Sequence, residues 1–493
     1  MAGSGMSVSI GAFALSIILA VALVKGSINK DDAEGSGYVS RRRTVEVTSL
    51  MAAATASSCS STGYGNEPSM LEVVHRSSPC SKVPQPMDHR EMMAQDSLRV
   101  KWLGMKSGVH VEGGDTREFK LAKSVSTVPT KQGYEIGTAN YVVTVELGTP
   151  GRKLQLDLDT GSGLTWTQCK GCTKCYNQTD PVFDPSKSTT YSAATCSSPA
   201  CSRLISAQTD MSHQSSCSKS HPACGYSITY GDNTTSEGLI STDTLTLASG
   251  DKITDFVFGC GLDNKGFSGS DGLLGLSNDN TSIISQTASL FGKYFSYCLP
   301  SFLKSTGFLT FGRGTTRRKL TNSTSLGFTP LIALRRSPQL YGITIRGITI
   351  GATPLSDKSS SILSRTTSII DSGTVITRLP PTVYTEVRST YEKYMAKYPK
   401  APPVGILDTC HDFSKFERVS FPKFKFEFGG GVKVELDVNG IILTFKHSQA
   451  CLAFAPNSAD SDLVIFGNTQ QRTLEVTYDI AGHKLGFSAN GCS

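Results

Sequence analysis

Charge is scarce in this 493-residue sequence: 18% of its residues are Asp, Glu, Lys or Arg, against about a quarter in an average globular chain. The net charge of +7 is mild for the length, and no basic stripe runs along any segment. Arg41-Arg42-Arg43 and the stretch from Arg313 to Lys319 read as solvated loops, so nucleic acid is not expected as a partner. None of the eight histidines sits in a nucleophile-bearing context, which argues against a Ser-His-Asp hydrolase. The apolar run from Val8 to Val24, ending at Lys25-Gly26-Ser27, falls short of the roughly 20 residues a membrane helix needs. It matches a signal-peptide core, although the usual basic segment before it is missing. No hydrophobic tail precedes Asn490-Gly491-Cys492-Ser493, so neither a glycolipid anchor nor a stable membrane anchor is expected.

Glycine, serine and threonine are abundant, and short β-branched and aromatic runs alternate with turn residues, the texture of a mostly β protein. The length suits two to four domains, each able to bury a core. Fourteen cysteines point to an oxidising compartment. Cys59 and Cys80 lie early; the rest, from Cys169 to Cys492, form an even set able to close as disulfides. Cys169-x-x-Cys172-x-x-Cys175 has metal-ligand spacing. No His follows at ligand spacing, however, and Cys196, Cys201, Cys217 and Cys224 crowd the next stretch. Disulfides are the expectation, with no metal and no cofactor.

Four segments are expected. Residues 1–26 read as a signal peptide and 27–130 as a heterogeneous prosegment. The latter holds a low-complexity patch near Met51 to Ser61 and an amphipathic helix from His89 to Met105, with Met92, Met93, Leu98, Val100 and Leu103 among charges. Residues 131–325 and 326–493 then form two lobes of strands and turns. The clearest helices there are Ser282 to Leu290 and Thr382 to Tyr398, the latter following Pro380-Pro381.

The two lobes share a motif. Asp159-Thr160-Gly161-Ser162 follows Leu154, Leu156 and Leu158 and precedes Leu164 and Trp166. Asp371-Ser372-Gly373-Thr374 follows Ile369 and Ile370 and precedes Val375 and Ile376. One such Asp turn is ordinary chemistry. Two, with matched apolar flanks, imply that each half offers a carboxylate to one shared site. Carboxylates close enough to share a proton do not both ionise comfortably, so one serves as base and the other as acid. Ser162 and Thr374 are placed to hydrogen-bond the outer carboxylate oxygens, and Thr160 and Ser372 to reach across to the opposite backbone. Each motif is followed by an apolar strand ending in glycine: Asp271-Gly272-Leu273-Leu274-Gly275-Leu276, and Leu463-Val464-Ile465-Phe466-Gly467-Asn468. Glycine there would let another backbone pass closely, bracing the Asp loop from beneath.

From about Tyr134 onward the chain resembles the pepsin-like aspartic proteases (A1 family), and within them the plant nepenthesin-type and chloroplast-nucleoid-protease-like group. The resemblance rests on both Asp motifs through Pro381, on Phe258-Gly259-Cys260-Gly261, Phe295-Ser296-Tyr297-Cys298-Leu299-Pro300 and Gly467-Asn468-Thr469-Gln470-Gln471-Arg472, and on the Cys-rich insert from Cys169 to Cys201. Leu71-Glu72-Val73-Val74-His75-Arg76 is similar to the group's prosegments. It implies a bilobal pepsin-like fold of two six-stranded-type β-barrel lobes with the active site between them. It also implies an acid-optimum endopeptidase made as a zymogen, with a water activated between Asp159 and Asp371.

Further roles follow from the same resemblance. Tyr230, with Gly231 and Asp232, becomes the tyrosine of a substrate-covering flap, and Trp166 its hydroxyl's partner. Cys410 and Cys451 become a disulfide of the second lobe. Relatives usually carry Gly-Ser after Tyr-Gly-Asp, where this chain has Asn233-Thr234-Thr235, a glycosylation sequon; others occur at Asn177, Asn280 and Asn322. The expected partners are polypeptide substrates and the chain's own prosegment, whose Lys101, Lys106, Lys120 or Lys123 could pair with the two aspartates at neutral pH. A secreted, apoplastic monomer is expected, with vacuole or plastid as the alternative destination. Two rival readings remain: a catalytically inactive, glycanase-inhibitor-like binding protein of the same fold, and a plastid DNA-associated protein.

Overall fold

Leu154, Leu156 and Leu158 alternate along the strand Arg152–Asp159, yet Gln155 and Asp157 between them are buried too. The strand therefore lies inside a sheet covered on both faces, and it delivers Asp159 at its end. The computed structural model describes residues 41–492 apart from 53–58, 60–69, 82–88, 109–140, 179, 208–212, 219–220, 231–233, 248–249, 268, 302–304, 314–323 and 446–447. Residues 41–493 form one compact unit. Residues 1–26, Lys120, Lys123, Gly231, Asp232, Asn233 and Asn322 lie outside the described residues.

The molecule is mostly β, but its strands do not sort into two separate six-stranded sets. A fifteen-stranded sheet runs through the first half and takes in Thr324–Pro330, Glu475–Asp479 and Lys484–Ala489, the last two from the far end of the chain. The seam is the antiparallel pairing of Tyr294–Cys298 with Glu475–Asp479. Each half would otherwise present a bare row of backbone donors and acceptors there; joining the edges satisfies both. The second half adds a five-stranded and two four-stranded sheets. One apolar core continues across the seam, from Leu154 and Phe258 to Phe426, Phe466 and Phe487.

The leader, meaning residues before Tyr141, is woven into this frame. Its strand Met70–His75 lies between Gly307–Phe311 and Tyr141–Leu147, antiparallel to both, and it buries Leu71 and Val73 completely. A second leader strand, Arg42–Glu46, pairs with Arg418–Pro422. The expected amphipathic helix runs from His89 to Ser107. Met92, Met93 and Leu103 are buried as the pattern implies, but Leu98 is exposed and two charged residues, Asp96 and Arg99, occupy the buried face.

Elsewhere the first expected helix is broken at Thr287 into Ile283–Gln286 and Ala288–Phe291. The second runs from Pro381 to Met395. Pro199–Ala207 and Asp357–Arg365 are further helices. All fourteen cysteines are paired: 59–80, 169–260, 172–175, 196–217, 201–224, 298–492 and 410–451.

Candidate active site

Two parallel strand pairs build the site. Arg152–Asp159 lies beside Gly272–Gly275 with Gly275 opposite Asp159, and the Leu276 amide donates to the Asp159 carbonyl at 2.8 Å. In the second half Ser368–Ile370 lies beside Val464–Phe466, and the Asp371 amide donates to the Phe466 carbonyl at 3.2 Å. The glycines ending the bracing strands meet backbone. A Cβ on Gly275 would stand 2.0 Å from the Gly163 carbonyl oxygen, and one on Gly467 about 3.0 Å from the Val375–Thr377 backbone. A side chain at either position would push the Asp loop off its support.

Each carboxylate is held the same way. Asp159 accepts from Ser162 Oγ at 2.7 Å and from the Gly161 amide at 2.9 Å. Asp371 accepts from Thr374 Oγ1 at 2.6 Å and from the Gly373 amide at 3.3 Å. The loops are also cross-tied: the Thr160 amide donates to Ser372 Oγ at 3.1 Å, and the Ser372 amide to Thr160 Oγ1 at 2.9 Å. Each hydroxyl accepts from the opposite backbone, so neither loop can rotate without the other. Buried amides fix the second loop from below. Asn468 Nδ2 donates to the Ser372 carbonyl and Gln471 Nε2 to the Asp371 and Phe466 carbonyls, while Tyr297 Oη donates to Gln471 Oε1.

Beside this pair, Trp166 Nε1 donates to Tyr230 Oη at 2.8 Å. Both rings are buried against Phe267. Tyr230 directly follows the hairpin strand His221–Thr229, which pairs with Thr235–Thr246, so the hairpin is tied at this point to the site's own tryptophan. Asn177 and Asn280 are exposed.

The charge that meets the two aspartates comes from the leader, and it is Arg99. Of the nominated lysines, Lys101 is exposed and Lys106 sits over the Trp102 ring, while Lys120 and Lys123 fall outside the described residues. Arg99 Nη2 donates to Asp159 Oδ1 at 2.6 Å and to Asp371 Oδ1 at 3.0 Å, and Nε to Asp371 Oδ2 at 2.9 Å. The guanidinium is 5% exposed. Burial opposes its charge, but the two carboxylates override that and hold its pKa well above the ordinary guanidinium value. Burial likewise pushes the Asp159 carboxyl up. The Arg99 charge and the hydrogen bonds from Arg99, Ser162 and Gly161 outweigh it, leaving Asp159 below the usual carboxylate range. The sequence offered the chemical class of this cation but no signal selecting position 99.

One helical turn earlier, Asp96 accepts from the Val375 amide at 2.5 Å, the Ile376 amide at 3.3 Å and Arg378 Nη2 at 3.0 Å. The leader helix thus grips both the site and the segment that follows Asp371.

Two buried carboxylates thus stand on facing, cross-tied loops beside a hairpin, and the chain belongs to the pepsin-like aspartic protease family. Family models described as xylanase inhibitor N-terminal and C-terminal match residues 141–313 and 340–489. Among similar curated proteins, aspartyl protease family protein At5g10770 of Arabidopsis thaliana is 45% identical over 91% of this chain and 93% of its own length. Aspartyl protease AED1 of the same plant is 42% identical over 93% and 94%, and nepenthesin-2 of Nepenthes gracilis 32% over 82% and 92%. Among solved structures, basic 7S globulin from soybean shares the fold with a TM-score of 0.54 at 19% identity, covering 73% of this chain and 93% of that one.

Proposed function

We propose that this chain is an aspartic endopeptidase made as a latent precursor, in which Asp159 and Asp371 activate a water for attack on a peptide carbonyl. The observation that carries the reading is the cross-tied pair of buried carboxylates, each with its own hydroxyl donor, bridged by a guanidinium from the chain's own leader. With Arg99 withdrawn, one carboxylate takes a proton from the attacking water while the other, protonated, hydrogen-bonds the carbonyl oxygen. The proton belongs to the pair rather than to either residue. Tyr230, tied to Trp166, anchors the hairpin that would close over an extended substrate.

The Arg99 bridge gives the latency a direction in pH. Asp159 has a lowered pKa while the helix is docked, so its contribution to docking is present above about 3.9, the ordinary carboxylate value, and lost as pH falls through the lowered one. Acid therefore releases the leader. Residues 27–130 act on this reading as the inhibitory prosegment of a monomer. Residues 1–26 direct it into the secretory pathway, an oxidising route suited to its disulfides, with the apoplast, vacuole or plastid as destination.

The test is acid treatment of the purified full-length chain, followed by assay on a denatured protein with and without pepstatin. Cleavage between about pH 2.5 and 6 that pepstatin blocks and Asp371→Asn abolishes is expected. No cleavage in that range would replace this reading with that of an inactive binding protein of the same fold.

A further inference from the structure

The Asp96 site lies beside the dyad and is not used by the hydrolysis. Arg378, on the strand Thr377–Leu379, is buried against the leader helix. Its Nη2 donates to Asp96 Oδ2 at 3.0 Å and to Ser97 Oγ at 3.3 Å, while Nη1 is buried with no hydrogen-bond partner among the described residues. Among those residues the carboxylate paired with it is Asp96, which also takes the Val375 and Ile376 amides. One guanidinium and two backbone N–H groups thus converge on a single carboxylate, and all three donors belong to the segment immediately after Asp371. Met92 and Met93, a turn earlier on the helix, belong to one buried apolar cluster with Ile376, Leu407, Leu443 and Phe445, so the carboxylate position is flanked by apolar side chains. Burial works against the Arg378 charge and Asp96 sustains it; removing the helix leaves that charge in want of an anion.

We propose that Arg378, with the Val375 and Ile376 amides, forms a subsite of the open cleft for the side-chain carboxylate of a substrate Asp or Glu, and that Asp96 occupies it in the latent chain. The inference rests on the endopeptidase reading above. Asp96 precedes Arg99 by three residues, about 4.5 Å along a helix. An extended substrate advances about 3.3 Å per residue. The favoured acidic residue therefore lies within about three positions of the bond that is cut.

The test uses the acid-activated full-length enzyme and a series of quenched peptides in which Asp replaces Asn at one position at a time on either side of the scissile bond. The Asp/Asn ratio of kcat/KM is measured at pH 3 and pH 5. Comparing peptides at the same pH cancels the titration of the dyad itself. A ratio on the order of tenfold at pH 5 is expected at one position, the size of a charge-assisted hydrogen bond. It should fall toward one at pH 3, as the peptide carboxyl protonates near pH 4. Arg378→Gln should flatten the ratio. Because that change strands Asp96 in the latent chain, the double variant Asp96→Asn with Arg378→Gln is measured as well. A ratio near one at every position, or a preference that survives both variants, would overturn the subsite. Binding of the same peptides to acid-treated Asp371→Asn protein, followed by fluorescence anisotropy, separates the two claims. An Arg378-dependent preference in this binding, together with no cleavage of any peptide by the acid-treated wild-type chain, would refute the endopeptidase and support the subsite. Cleavage without any preference would do the reverse.

Discussion

Arg99→Gln removes a guanidinium from between two buried carboxylates while keeping a polar side chain of similar reach. Three of its donor contacts to Asp159 and Asp371 lie between 2.6 and 3.0 Å, and all three groups are nearly inaccessible to solvent. Breaking a buried ion pair by removing one partner costs about 3–5 kcal/mol. Here the penalty falls on the docked helix, because undocking rehydrates the carboxylates. At about 1.4 kcal/mol per decade, the closed-to-open ratio should fall by roughly two to three and a half powers of ten. The assay is cleavage of a quenched peptide by the uncut precursor at pH 5.5, where wild-type Asp159 is still ionised and the bridge intact. The variant should be active there without acid exposure, on the order of a hundredfold above the wild-type precursor, and trypsin should cut its leader helix faster. Arg99→Lys keeps the charge but loses the planar fork, so it should fall between the two. If the Arg99→Gln precursor stays as latent as wild type and opens at the same acid midpoint, the bridge is not the lock.

Burial, then Arg472, Arg76 and His89, lower the His75 pKa to about 3. The docked leader strand therefore loses stability as pH drops from about 6.5, by up to about 1.4 kcal/mol per unit, and His75→Phe should move the acid midpoint of activation downward in a pH series. Tyr230→Phe takes the acceptor from the buried Trp166 indole and should lower kcat/KM about tenfold, read in steady-state kinetics with Tm as the control for folding. Gly275→Ala places a methyl on the Gly163 carbonyl and should cost about 3 kcal/mol together with activity, measured by guanidinium unfolding. Cys298→Ala with Cys492→Ala opens a link spanning 194 residues and should cost about 4–5 kcal/mol in the same titration.

The aspartates were legible because the signal is local and doubled. Asp159 and Asp371 each carry hydroxyl, glycine and apolar flanks within a few positions, and the bracing glycines at 275 and 467 repeat the pattern downstream. Arg99 was not legible because its partners lie 60 and 272 positions away, and a cation on an amphipathic helix ordinarily faces water. The helix pattern misled in the same way at Leu98, which is exposed while Asp96 and Arg99 turn inward. The seam between the halves was hidden because strand edges pair by shape and register; nothing in Tyr294–Cys298 names Glu475–Asp479 as its neighbour.

The leader strand Met70–His75 has a consequence for how the molecule is made. Synthesis proceeds from the N-terminus, and domains fold as their partners emerge. That strand must wait for Gly307–Phe311, and Arg99 must wait for Asp371. By the time the ribosome has supplied the second aspartate, the cation that covers it has long been present on the same chain. If the leader is the inhibitory prosegment proposed above, assembly of the dyad and its silencing are one folding event, and the nascent protein passes through no interval in which a finished, uncovered site is exposed to its neighbours.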